Sequence, residues 1–141
     1  MVPTVLIADV DRELCGLYRR FFSCHGWQVQ TFGEALTCLT QLRQDSPQLL
    51  ILDLSLPWGG ADGLLAVMRD DPGLARVPVV LTSTTAYAET LSCLVSPPVV
   101  WALVKPISLT ALLEFMRAKL GNRQPGRRNE SRHLASPGLC S

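Results

Sequence analysis

Paired cysteine motifs are missing from this 141-residue chain. Its five cysteines (Cys15, Cys24, Cys38, Cys93 and Cys140) are odd in number and show neither CxxC nor histidine-paired metal spacing, so reduced, structural thiols are expected. Charge of one sign is equally scarce. The formal net charge is +1, and this balance gives no reason to expect direct nucleic-acid binding. No apolar run is long enough to span a bilayer. The start, Met1-Val2-Pro3-Thr4, passes straight into an apolar stretch without the basic flank, signal core or cleavage site of a leader, so a cytoplasmic location without membrane attachment is expected. There is no internal repeat, and no helix-turn-helix, cyclase or other output domain is expected after Leu120.

What is present is hydrophobicity. Residues of that class make up 48% of the chain, which excludes a disordered polymer and suits one domain with a real core. The organising stretch is Leu49-Leu50-Ile51-Leu52-Asp53, followed by Leu54-Ser55-Leu56-Pro57. Four apolar residues closed by a carboxylate predict a strand buried on both faces that carries Asp53 to its carboxyl end, where open α/β sheets keep their chemistry.

The same grammar repeats along the chain. Val5-Leu6-Ile7-Ala8 is a second buried strand, ending in Asp9-Val10-Asp11. Helical spacing of Leu14, Leu17, Tyr18, Phe21 and Phe22 follows, with Asp11 as a plausible N-cap. Residues 27–32 predict a less apolar strand near an edge, and Gly33 opens a second helix. A turn-rich loop over 58–63 leads to a short helix over 64–69. Residues 77–81 predict the fourth strand, which ends in the hydroxyl run Thr82-Ser83-Thr84-Thr85. A helix over 87–94 is cut off by Pro97 and Pro98. Residues 99–104 predict the fifth strand, ending in Lys105-Pro106, and Ser108 caps a last helix that Gly121 closes. Strands and helices alternating at this spacing predict a parallel sheet covered on both sides. Residues 1–121 form the expected domain. Residues 122–141, with four arginines against one glutamate and little to bury, are expected to be a disordered basic tail.

Gathered on one rim, the strand ends offer Asp9, Asp53, the Thr82 hydroxyl and the Lys105 ammonium, with Asp11 open between cap and site. Crowded carboxylates repel, and an oxygen-seeking cation such as Mg²⁺ relieves them. A lysine and a hydroxyl facing them suit the oxygens of a phosphoryl group. A structural ion pair of Lys105 with Asp53 beside a capping threonine is the alternative; four strand ends agreeing favours function.

In Val5-Leu6-Ile7-Ala8-Asp9, residues 50–57, Asp62-Gly63, residues 78–83 and Val104-Lys105-Pro106, the chain resembles the receiver domain of two-component response regulators over about residues 4–120. The resemblance implies the flavodoxin-like (βα)5 fold with strand order 2-1-3-4-5. It implies a signalling domain that phosphorylates itself on Asp53 from a histidine kinase or phosphotransferase, rather than a turnover enzyme. Thr82 and Lys105 would contact the phosphoryl group. Asp9, Asp53 and the Ser55 main-chain carbonyl would hold Mg²⁺. A cis Lys105–Pro106 bond would aim the lysine. Output would be altered binding of a downstream protein, or of a second copy, on the face made by the helix over 87–94, the fifth strand and the last helix.

The pattern also breaks. The second of two adjacent acids is replaced by Val10, which predicts weaker Mg²⁺ binding and slower phosphorylation unless Asp11 turns inward. The usual aromatic switch residue is replaced by Ala102, with Trp101 one position earlier on the opposite face. The loop after Pro57 is longer by about two residues and carries Trp58 at the pocket rim, placed to gate access or to pack on a partner. Val10 and Ala102 favour an alternative, a pseudo-receiver acting as a phosphorylation-independent interaction module. A remoter one is a haloacid-dehalogenase-type phosphatase, whose DxD motif Asp9-Val10-Asp11 resembles. Asp9 would then be the nucleophile and Asp11 the acid/base, but only Glu114 and Glu130 remain downstream to complete its metal site.

Overall fold

A parallel sheet of five strands in the order β2-β1-β3-β4-β5 forms the centre of the computed structural model, which describes residues 2–84 and 95–121. The strands are β1 (Thr4–Ala8), β2 (Gln28–Phe32), β3 (Leu49–Asp53), β4 (Val79–Ser83) and β5 (Val99–Val104). The helices described are α1 (Arg12–Cys24), α2 (Ala35–Gln44), α3 (Gly60–Asp70) and α4 (Leu109–Gly121). This is the flavodoxin-like architecture expected from the sequence. The helix expected over 87–94 and the tail over 122–141 lie outside the described residues.

Side-chain alternation along the strands builds two cores. Leu6, Ala8, Leu50, Leu52, Val79 and Leu81 point to one face and pack with Cys38 and Leu42 of α2 and Leu64, Leu65 and Met68 of α3. Val5, Ile7, Leu49, Ile51 and Val80 point to the other, against Cys15, Tyr18 and Phe22 of α1 and Leu112, Leu113 and Met116 of α4. Each such side chain, removed fully from water, contributes about 1.5–3 kcal/mol before entropy is counted. β2, whose residues are only partly buried, is the edge its composition foretold.

Several boundaries differ from the sequence reading. β4 starts at Val79, because Pro78 has no N–H for the ladder; its carbonyl instead accepts from Leu50 at 3.0 Å. The hydroxyl run does not end β4 at Leu81, since Thr82 and Ser83 pair with Leu103 and Val104. The loop expected over 58–63 is mostly structured. Pro57–Gly59 forms a 3₁₀ turn, Gly59 takes the left-handed conformation at φ 63°, and α3 begins at Gly60 instead of 64. Gly60 is there because α2 is close: a Cβ at this position would lie 2.9 Å from Ala35 Cβ. A bulge between β4 and β5 leaves Val100 and Trp101 on the same face. The Lys105–Pro106 bond is cis, as the resemblance implied, and so is Pro97–Pro98.

Candidate functional site

The parallel register carries polar residues to the carboxyl end of the sheet. Asp53, last in β3, lies opposite Thr82 of β4. Lys105 follows β5, and its N–H donates to the Ser83 carbonyl at 2.7 Å. Asp9 follows β1, and its N–H donates to the Phe32 carbonyl at 2.9 Å.

These side chains meet. The Lys105 ammonium sits between two carboxylates, 2.8 Å from Asp9 Oδ2 and 3.1 Å from Asp53 Oδ1. Asp9 and Asp53 are only 4% and 2% exposed, so neither charge could remain there unpaired without a cost of several kcal/mol. Burial alone would pull the Lys105 ammonium below its usual range, but its hydrogen bonds to Asp9 and Asp53 and their charges outweigh this and hold it above. The Thr82 hydroxyl donates to Asp53 Oδ1 at 3.0 Å. The Ser55 N–H donates to Asp53 Oδ2 at 3.2 Å, and the Ser55 hydroxyl donates to the same oxygen. The Asp11 N–H donates to Asp9 Oδ1 at 2.9 Å. Every oxygen of the two carboxylates therefore has a donor.

The other residues singled out in the sequence lie outside this cluster. Asp11 is the N-cap of α1: its side chain accepts from the Leu14 N–H at 3.1 Å and is exposed. The inward turn that would make it a ligand does not occur, because the cap satisfies an otherwise orphaned helix N–H. Val10 is 49% exposed beside the cluster. Trp58 is 98% exposed and left-handed at φ 64°, so it projects from the rim rather than covering the pocket. Ala102 packs with the α2–α3 core, whereas Trp101 faces the opposite side and stacks on Phe115 with centroids 4.3 Å apart.

Three participants were missed. Cys15, buried, donates its thiol to the Asp9 carbonyl at 3.5 Å; burial and then the charges of Asp9 and Asp11 push that thiol up. Tyr18 is fully buried, and its hydroxyl has no hydrogen-bond partner among the described residues. Burial, then the Asp9 and Asp53 charges, raise it well above the usual phenol range. Both follow the helical period and read as core alone. The third is the Ser55 hydroxyl, which donates to Asp53 Oδ2.

Residues 5–117 match the family model of the response regulator receiver domain. The chain belongs to that family. It is 32% identical over 127 residues to the response regulator MprA of Mycobacterium tuberculosis, with 89% of this chain and 54% of that protein covered. Thus the chain spans about half the length of the curated relatives it matches. Among solved structures, a putative response regulator from Chloroflexus aurantiacus superposes with a TM-score of 0.78 at 20% identity, covering 86% of this chain and 99% of that one. The chemotaxis response regulator CheY4 of Vibrio cholerae gives 0.73 at 18% identity, covering 84% and 98%. Receivers are signalling domains of two-component systems rather than turnover enzymes, and they work with histidine kinases and downstream effectors. No helix among the described residues is long and apolar enough to cross a membrane.

Receivers generally bind Mg²⁺ at their acidic pocket. Among the described residues here, no group of three or more His, Cys, Asp or Glu side chains could hold a metal. What remains is an all-oxygen pair of buried carboxylates, Asp9 and Asp53, joined by Lys105. That set fits Mg²⁺, which keeps several waters and needs only one or two carboxylates.

Proposed function

We propose that this receiver accepts a phosphoryl group on Asp53 from a histidine kinase or phosphotransferase in the cytoplasm, and signals by a changed protein-binding surface. The observation that carries the reading is the convergence of Thr82 and Lys105 on Asp53 Oδ1, with Asp9 sharing the same ammonium. Asp53 attacks phosphorus in line as the bond to the donor nitrogen breaks, and the donor keeps the electron pair. Lys105 and the Thr82 hydroxyl are then at hand for the phosphoryl oxygens. Asp9, Asp53 and the Ser55 carbonyl would hold Mg²⁺, which supplies charge neutralisation for the transferring group when bound. Val10 in place of a carboxylate leaves two negative charges against one ammonium, a net charge of −1, so weak cation binding is part of the reading.

Lys105 on β5 and Thr82 on β4 link the acceptor to the strands they end, and rearrangement of those strands is the route to output. The binding face is the one that includes β5 and α4, for a downstream protein or a second copy. The phosphatase alternative loses its acid/base, because Asp11 caps α1. A pseudo-receiver remains the competing reading, supported by Val10.

Incubation with phosphoramidate and Mg²⁺, followed by intact mass, tests the proposal. A phosphoryl adduct absent from Asp53→Asn and suppressed by chelator supports it. No adduct on folded protein at high donor and Mg²⁺ favours the pseudo-receiver.

A further inference from the structure

The two oxygens of Asp53 stand in different surroundings. Oδ1 faces β4 and β5, where Thr82 Oγ1 donates at 3.0 Å and Lys105 Nζ lies at 3.1 Å. Oδ2 faces the loop after β3, where Ser55 donates both its N–H, at 3.2 Å, and its hydroxyl. Thr82 is fully buried and Ser55 is exposed, so Oδ2 is on the solvent side. A cation held by Asp53 and the Ser55 carbonyl would use that oxygen.

We propose that the Ser55 hydroxyl competes with a divalent cation for Asp53 Oδ2, so that the Ser55 side chain, a positioning group, sets cation affinity in a site already one carboxylate short. This rests on the reading of Asp9, Asp53 and the Ser55 carbonyl as cation ligands. The fold itself does not require the hydroxyl. The Ser55 N–H alone closes the turn on Asp53 Oδ2, as in an Asx-turn, and it survives in Ser55→Ala. The hydroxyl adds a charge-assisted bond that stabilises the cation-free state and must be surrendered when the cation takes the oxygen. Lys105 plays the equivalent part at Asp9 Oδ2, but it is also needed for charge balance. Removing the Ser55 hydroxyl leaves Asp53 paired with Lys105, so no buried charge is left alone.

The test is titration with MgCl₂ alone, followed by the amide resonances of residues 53–55, in wild type, Ser55→Ala and Ser55→Thr, and again with Val10→Asp added to each. Ser55→Ala should bind Mg²⁺ more tightly than wild type, on the order of tenfold or more, in either background, since bonds to charged groups are worth at least that much after exchange with water. Ser55→Thr, which keeps the hydroxyl, should stay within about twofold of wild type. Equal or weaker affinity in Ser55→Ala, in a background where Mg²⁺ binds, overturns the competition while leaving the cation ligands intact. No Mg²⁺-dependent shift even with Val10→Asp overturns both.

Discussion

Lys105 is bound to Asp9 at least as closely as to Asp53: its ammonium is 2.8 Å from Asp9 Oδ2 and 3.1 Å from Asp53 Oδ1. The simple ion pair of Lys105 with Asp53 that could have explained the residues structurally is thus only half of the arrangement. One cation holds together the ends of β1, β3 and β5. Removing it leaves two buried carboxylates facing each other.

Lys105→Met should therefore destabilise the fold by about 2 kcal/mol at neutral pH, less than for a fully buried pair because the lysine side chain is 21% exposed. The effect has a defined pH window. The folded-state pKa of Lys105 is raised above its ordinary 10.5, so its contribution is complete below that value and is lost as pH rises through the folded pKa. Urea unfolding of both proteins across neutral to strongly alkaline pH should show the wild-type advantage constant at first and shrinking only at the alkaline end.

Val10→Asp restores a carboxylate beside Asp9 at a position that is already half exposed, so the change should leave packing intact. Mg²⁺ affinity and the rate of phosphorylation by phosphoramidate should both rise, on the order of tenfold. Calorimetric titration and time-resolved intact mass read the two effects separately.

Asp11→Ala should cost about 1 kcal/mol through loss of the α1 cap, with Asp11→Asn recovering most of it. Mg²⁺ affinity should be unchanged in both, because the Asp11 carboxylate points to the Leu14 N–H and not to the acid pair. Thermal unfolding and the same cation titration separate a cap from a ligand.

Trp58 is in the left-handed region with its side chain in solvent. Trp58→Gly should relieve backbone strain and stabilise the fold by up to ~1 kcal/mol, the gain being limited by the extra freedom of glycine in the unfolded chain. Phosphorylation by phosphoramidate should proceed at the wild-type rate, since the ring covers nothing at the pocket. A slower rate would restore a gating role.

The sheet was legible because its three central strands are buried on both faces, and a run such as Leu49-Leu50-Ile51-Leu52 has no other comfortable place. Their carboxyl ends follow from the same pattern, which is why the sequence alone groups Asp9, Asp53, Thr82 and Lys105 on one rim. What could not be read were features decided by contact rather than by pattern. Gly59-Gly60 looks like a loop in sequence, yet α3 begins at Gly60, a glycine kept there because Ala35 of α2 leaves no space for a Cβ. Tyr18 follows the apolar stripe of α1, and nothing in that stripe reveals that its hydroxyl is buried without a partner. The choice of Asp11 between cap and ligand turned on one hydrogen bond to Leu14, and the second use of Ser55 turned on a rotamer. Such choices are set by local geometry that residue type alone does not fix.

Asp53 is the proposed site of phosphorylation. This is tested most directly by treating the phosphodonor-exposed protein with borohydride, which reduces an acyl phosphate to an alcohol, and locating the resulting homoserine by peptide mass. Homoserine is expected at position 53 alone, dependent on donor and Mg²⁺. Homoserine at position 9 would contradict that assignment in favour of phosphatase-like chemistry. Its absence at every aspartate, under conditions that label the Val10→Asp protein, would show that the natural site does not accept a phosphoryl group.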